Sequence, residues 1–401
     1  MSRRVTTAAR LLDERGEPLA DRDVVVEQVS HFFGFGCIGF DLVPYAAGED
    51  DSLSGLAELW LDLFSTTTLP FYWGQFEPVR GEPDTARLLA AARWFVERGI
   101  PVKGHPLLWH TLAPGWLEPL VAEEVEAAIR GRIRRDVTDF RGLVTSWDAI
   151  NEPVILPVFD NPDNAVTRLA RDRGRLALVR LAFDEARATD PTAALHINDF
   201  DLSVDYERVI GEALDAGVTI DGIGLQTHMH QGYRGEEAVL AIVDRFARFG
   251  LPIHMTETTL VSGELMPAHI VDLNDYVVSD WPSTPEGEER QAREVERHYR
   301  SLVGHPAVAS VTYWGLTDAG AWLGAPAGLV RADGTPKPAY DRLHSLVRGE
   351  WWQAATPSRT NGSGVVEISG FPGVYRVAAG AASATVTVDG SVVVATVATA
   401  G

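Results

Sequence analysis

Apolar positions along this chain follow two alternating periods. Short runs with apolar residues at most positions or at every second one predict strands, and the stretches between them, with a period near 3.6, predict helices. The strands expected in this way are Phe32–Ile38, Thr66–Trp73, Pro101–Trp109, Val144–Asn151, Ala193–Asp199, Asp221–Thr227, Pro252–Glu257 and Ala309–Trp314. The helices that follow them in turn are Leu53–Leu63, Asp84–Arg98, Pro119–Phe140, Asn164–Thr189, Tyr206–Ala216, Glu236–Phe249, Pro285–Leu302 and Lys337–Val347. Asp84 is placed as an N-cap, and Gly99, Gly217 and Gly250 as helix stops. Strands that alternate with helices imply parallel pairing and right-handed crossovers. Eight such units point to a closed (β/α)₈ barrel of the TIM type, α/β in class, rather than an open sheet.

The two ends of the chain have another pattern. Val5–Leu12 and Val24–Val29 flank the polar turn Asp13–Pro18, which reads as an N-terminal β-hairpin within residues 1–30. From about Ala354 the composition shifts. Pro357–Gly364 has the character of a linker, and Val365–Ser369, Val374–Ala378, Ala384–Val388 and Ser391–Val397 read as short strands. Residues 354–401 are therefore expected to form a small β appendage on a barrel of residues 31–353. So short a unit buries little core alone, so it is expected to pack on the barrel, together with the N-terminal hairpin.

Composition narrows the possibilities. The 401 residues carry 35 Lys and Arg against 56 Asp and Glu, a net charge of −21. That balance excludes a nucleic-acid partner, since nothing would offset phosphate repulsion. The single cysteine, Cys37, sits among apolar residues and reads as a buried small hydrophobe. No run is long and apolar enough to cross a membrane, and the start lacks the apolar core of a signal peptide. The expectation is a cytoplasmic protein without a membrane partner, or a secreted one if a leader has been removed. G-x-G-x-x-G occurs only at Gly34–Gly39, in an expected strand rather than after one, and G-x-x-x-x-G-K-[ST] does not occur. His228 and His230 have metal-ligand spacing, but they follow the sixth strand, whereas barrel metallohydrolases carry such a pair on the first. No metal and no cofactor is expected. Nothing in the sequence sets an oligomeric state.

In a barrel, function lies at the carboxyl ends of the strands and in the loops after them. Two of those loops are long, Val154–Asp163 and Thr258–Thr284. The third strand ends in His105, Trp109 and His110, and the fourth in Asn151 and Glu152. The fifth ends in His196, Asn198 and Asp199, the sixth in Gln226, His228 and His230, and the seventh in Glu257. The eighth ends in Trp314, with Asp318 and Trp322 beyond. Two carboxylates, several amides and imidazoles, and indoles suit an uncharged, hydroxyl-rich ring. A pair of carboxyls across a sugar is the equipment of glycoside hydrolysis, and a retaining mechanism needs them about 5–5.5 Å apart. Strands four and seven stand on opposite sides of a barrel mouth, so Glu152 and Glu257 can face each other.

Six stretches taken in order resemble glycoside hydrolase family 10, the (β/α)₈ retaining endo-β-1,4-xylanases and relatives. They are Lys103-Gly104-His105-Pro106-Leu107-Leu108-Trp109-His110, Trp147-Asp148-Ala149-Ile150-Asn151-Glu152-Pro153, His196-Ile197-Asn198-Asp199-Phe200, Gly222-Ile223-Gly224-Leu225-Gln226-Thr227-His228, His254-Met255-Thr256-Glu257, and Trp314-Gly315-Leu316-Thr317-Asp318 with Trp322 and Pro336–Tyr340. The resemblance covers roughly residues 30–350. It implies Glu152 as general acid/base and Glu257 as nucleophile. It implies Asn151 on the sugar 2-hydroxyl, with His228 orienting Glu257 and Gln226 and Asn198 nearby. His105 would touch the same sugar, Trp314 would stack under it, and Trp109 and Trp322 would wall the pocket. The substrate it implies is a carbohydrate or glycoside, xylan-like in the first instance.

Three stretches depart from the family pattern. The second strand of typical members carries Glu-Asn-x-x-Lys-Trp, and Thr68-Leu69-Pro70-Phe71-Tyr72-Trp73 stands there instead. Leu69 and Tyr72 replace the Asn and Lys, and Leu112 stands where a sugar-binding Gln is usual. Thr258-Thr259 replaces the usual Leu-Asp after the nucleophile. The donor-side subsite is therefore expected to be apolar or aromatic, with Tyr72 in it. A glycoside other than xylan is the alternative substrate class. A carbohydrate-binding protein without turnover and a metal-dependent barrel hydrolase are the remaining readings.

Overall fold

The computed structural model describes residues 3–159, 161 and 163–399. Eight parallel strands close into a barrel in chain order: Gly34–Ile38, Thr66–Pro70, Val102–His105, Val144–Asn151, Ala194–Asp199, Gly222–Met229, Ile253–Leu260 and Val308–Tyr313. The eighth strand pairs back onto the first, with Ser310 opposite Gly34 and Tyr313 opposite Cys37. Closure leaves the barrel no free edge, and the helices cover its outer face. Close approach inside the barrel demands glycine at position 104, where a Cβ would lie 2.2 Å from the Trp147 ring.

The seventh strand runs on through Thr258–Leu260, which were expected in a loop, and three further elements differ from the sequence expectation for a local reason. The second strand stops at Pro70, not Trp73, and a short helix runs from Trp73 to Phe76. Pro70 has no N–H for the ladder, and the Phe71 N–H goes instead to the His105 carbonyl at 2.6 Å. Tyr72 is thereby moved from a strand to the loop at the barrel mouth. The third strand likewise ends at His105, before Pro106. The helix expected over Asn164–Thr189 is two helices, Ala165–Arg173 and Arg175–Thr189, parted at Gly174, whose φ of 89° no helix can contain.

The chain ends do not form a hairpin. Val5–Leu12 pairs with Val365–Gly370 and, in parallel, with Val392–Thr396. Asp23–His31 belongs to a second sheet, between Thr356–Arg359 and Gly373–Ala379; Ala382–Val388 and Ala398–Thr399 complete that sheet. The stretch read as a linker thus contributes a strand, Thr356–Arg359. The reason lies in the shared core. Ala9 and Leu11 of one N-terminal strand and Val24 and Val26 of the other face each other across Val366, Ile368, Tyr375, Val377, Val386 and Val388. Apolar alternation fixes which face each strand buries, not which strand it pairs with.

This two-sheet body is fastened to the barrel at the end remote from Glu152 and Glu257. The Arg3 guanidinium donates to the carbonyls of Val303 at 2.5 Å, His305 at 2.6 Å and Val308, where the eighth strand begins. His31 packs edge-on against Phe35 at the start of the first strand, with ring centroids 5.0 Å apart, and Trp351 stacks on Phe35 at 5.7 Å. Among the described residues no helix is long and apolar enough to cross a membrane. Asp160 and Pro162 of the expected loop 154–163, and Met1, Ser2, Ala400 and Gly401 of the expected terminal units, lie outside the described residues.

Candidate active site

Each of the two glutamates lies beyond one extra residue in its strand; Glu152 follows the end of strand four, whereas strand seven continues past Glu257 to Leu260 instead of ending there. Strand four runs Asp148 opposite His196 and then Ile150 opposite Ile197, so Ala149 is the extra residue. Strand seven runs Met255 opposite Leu225 and then Glu257 opposite Gln226, so Thr256 is the extra one. Such bulges turn the strand and re-aim the side chains beyond them. Glu152 itself has a positive φ of 54°, rare for a residue with a Cβ. Its N–H is held by the Asn198 carbonyl at 2.8 Å.

One amide network joins the two carboxyls. Asn198 Nδ2 donates to Asn151 Oδ1 at 2.8 Å and to Glu257 Oε1 at 2.9 Å. Its own Oδ1 accepts from the Thr256 hydroxyl at 2.6 Å. Gln226 Nε2 donates to Asn151 Oδ1 at 3.1 Å and lies 3.5 Å from Glu152 Oε1. Asn151 Nδ2 reaches Glu152 Oε1 at 3.2 Å. The glycine in Gly222-Ile223-Gly224 is what admits this arrangement, since a Cβ on Gly224 would lie 2.2 Å from Asn198 Oδ1.

The surroundings of the two carboxyls differ in charge. Burial and the Asp199 carboxylate, with a smaller contribution from Glu257, push Glu152 up to about 8, against the Trp109 N–H that bonds its Oε2 at 2.8 Å. Asp199, itself raised to about 7 by burial, accepts the Val154 and Asp201 N–H groups. His110 stands 4.0 Å from Glu152, but burial pushes it down to about 3, so it stays neutral. Burial acts against the ionised form of Glu257 too. The His228 Nε2 at 3.0 Å, with His105 and Lys103 behind it, outweighs that and holds Glu257 below its usual value. His105 Nε2 is 3.9 Å from Glu257, and its Nδ1 is 2.7 Å from Asp148, which Lys103 also contacts at 2.7 Å. Thr259 fixes the other nitrogen of His228 at 3.2 Å.

Aromatic rings line the rest of the mouth. Trp314 packs edge-on against His105 at 5.2 Å, and Tyr72 packs against Trp109 at 5.6 Å. Trp322, 40% exposed, lies over His228 at 4.9 Å. All the site residues expected from the sequence therefore reach one mouth, with Trp322 at its rim. Leu69 is fully buried, whereas Leu112 is turned outward, with a positive φ of 53°. A separate hollow of about 140 Å³, lined by Leu112, Pro114, Phe159 and Asn164 among others, lies beyond His110 and holds neither carboxyl. Asp148 was not among the groups expected at the site, and Asp199 was expected at the end of the fifth strand without a role. The available signal was an acid inside an otherwise apolar strand, Trp147-Asp148-Ala149, and another at the end of one.

The family model described as "Glycosyl hydrolase family 10" matches residues 71–346, well over half of the chain. The chain belongs to glycosyl hydrolase family 10. Among curated relatives of this family 10 chain is the β-1,4-xylanase of Dictyoglomus thermophilum, 29% identical over 57% of this chain and 63% of that one. Another is the anti-sigma-I factor RsgI6 of Acetivibrio thermocellus, 27% identical over 95% of this chain but only 44% of its own length. The chain thus spans less than two thirds of the length of these two relatives. In fold it is similar to xylanase 10B of Thermotoga petrophila, solved in complex with xylobiose, with a TM-score of 0.65 at 23% identity over 79% of this chain and 94% of that one.

Proposed function

We propose that this family 10 protein is a retaining β-glycoside hydrolase that works by double displacement, with xylan-like oligosaccharides as the first substrate class. The observation that carries the reading is the opposite charge setting of Glu152 and Glu257 on one amide network. Glu257, held ionised by His228, attacks the anomeric carbon and forms the glycosyl ester. Glu152, protonated below about pH 8, gives its proton to the departing glycosidic oxygen. Glu152 then takes a proton from water, which displaces Glu257 and restores the original anomeric configuration. Asn151, beside Glu152, is in reach of a 2-hydroxyl, and Trp314 offers an apolar face to the ring. Asp148 positions His105, and Asn198 positions both Asn151 and Glu257.

The departures at Leu69, Tyr72 and Leu112 favour a second substrate class, a glycoside other than xylan, within the same chemistry. A site that no longer bonds certain hydroxyls loses the discrimination those bonds confer. Binding without turnover is the other reading: the relative that aligns with 95% of this chain is named as an anti-sigma factor rather than as a hydrolase. One experiment separates these. Purified protein is assayed on 4-nitrophenyl β-xyloside and β-glucoside, on xylohexaose, and on a panel of aryl glycosides, beside Glu257→Ala. Turnover that disappears in the variant supports hydrolysis, and the panel identifies the sugar. Saturable binding with no product on any substrate supports the binding reading.

A further inference from the structure

The two sides of the barrel mouth are built from different chemistry. The ends of strands four to seven present amides, imidazole and carboxyls: Asn151, Asn198, Gln226, His228 and the two glutamates. The ends of strands one, two, three and eight present rings. Phe40 packs edge-on against Tyr72 at 5.6 Å and against Trp314 at 5.4 Å. Trp314 meets His105 at 5.2 Å, and Tyr72 meets His105 at 5.8 Å. Phe40, Tyr72, His105 and Trp314 therefore form a closed cycle, each ring touching the next. Trp109 extends this wall from Tyr72 toward Glu152.

Tyr72 is the central piece of that wall. It is placed at the mouth because the second strand stops at Pro70. It is close enough to the carboxyls that, after burial, the charges of Glu257, Glu152 and Asp148 raise its hydroxyl well above the usual tyrosine value. Leu69, two residues before Phe71, is sealed in the core, and Leu112 points outward. Neither offers a hydroxyl-bonding group to a second sugar on this side.

We infer that the Phe40–Tyr72–Trp314 wall closes the pocket behind a single sugar, so that the protein removes terminal sugars one at a time, with Tyr72 as the residue that sets this specificity. The inference rests on the glycosidase reading above. The wall is assigned to the glycone side, since the same wall on the other side would leave a departing group no room. A chain that extends beyond the cleaved sugar on the glycone side would run into the rings.

The test compares 4-nitrophenyl β-xyloside with β-xylobioside, and 4-nitrophenyl β-glucoside with β-cellobioside, by direct nitrophenolate release. The expected result is kcat/KM at least tenfold higher for the single-sugar glycoside of whichever pair is cleaved. Tyr72→Ala should shift that ratio at least tenfold toward the disaccharide, whereas Tyr72→Phe, which keeps the ring, should leave the ratio in place. Phe40→Ala thins the same wall from its other side and should shift the ratio in the same direction, which covers the case in which Tyr72→Ala does not fold. Glu257-dependent cleavage that prefers the disaccharide, or ratios unmoved in both alanine variants, would overturn the inference and leave the hydrolase reading standing. No Glu257-dependent cleavage of any of the four would overturn both.

Discussion

Glu152 and Glu257 are the same side chain at the mouth of one barrel, each beyond a one-residue bulge, yet different groups face them. Around Glu152 stand a second buried carboxyl, Asp199, a neutral imidazole, His110, and one indole N–H. Around Glu257 stand two imidazoles, an amide N–H and, behind them, the Lys103–Asp148 pair. Both carboxyls pay for burial, but only Glu257 has enough donors and positive charge nearby to stay ionised. The comparison teaches that the division of labour is written in the neighbours of each glutamate, not in the glutamates themselves.

The strongest way to break the comparison is to remove one member. Glu257→Ala should abolish turnover of all glycosides. Glu152→Ala should lose about 10²–10⁴-fold on substrates with poor leaving groups and much less on a dinitrophenyl glycoside, which departs without a proton. Equal losses on both substrate types would dissolve the assignment of Glu152 as the acid.

Next come the neighbours. His228→Ala removes a charge-assisted hydrogen bond worth about 1.5–3 kcal/mol, so kcat/KM should fall roughly ten- to hundredfold. The acid limb of its pH profile should also move up, because Glu257 then ionises less readily. In the parent protein the alkaline limb should fall near pH 8, where Glu152 loses its proton. Asp199→Asn removes a negative charge that disfavours ionised Glu152, so that limb should move down, by about one pH unit. Trp109→Phe removes a donor to the ionised form, so the limb should move up, by less. A limb that stays in place in Asp199→Asn would show that burial alone sets Glu152.

Much of this site was legible in the sequence, because strand-end chemistry depends on residue type and order. Asn151-Glu152-Pro153 and Thr256-Glu257 announce polar groups near the carboxyl ends of apolar strands, although the second of these strands runs on to Leu260. The bulges at Ala149 and Thr256 were not legible, because they follow from pairing between strands distant in sequence. The same limit explains the chain ends. Val5–Leu12 and Asp23–His31 alternate as hairpin strands would, but their partners lie more than 300 residues away, and alternation carries no record of the partner. Tyr72 was read on a strand because Phe71, Tyr72 and Trp73 are good strand formers, yet Pro70 had already ended the ladder. That displacement is what puts an aromatic ring beside the carboxyls.

The central claim is that Glu257 is the nucleophile and Glu152 the acid/base. The most direct measurement is to incubate the protein with 2,4-dinitrophenyl 2-deoxy-2-fluoro-β-xyloside and its gluco counterpart, digest it, and locate the added mass by peptide sequencing. The account predicts time-dependent inactivation with one fluorosugar on Glu257. A label on Glu152, or turnover of aryl glycosides that no such reagent can halt, would contradict it.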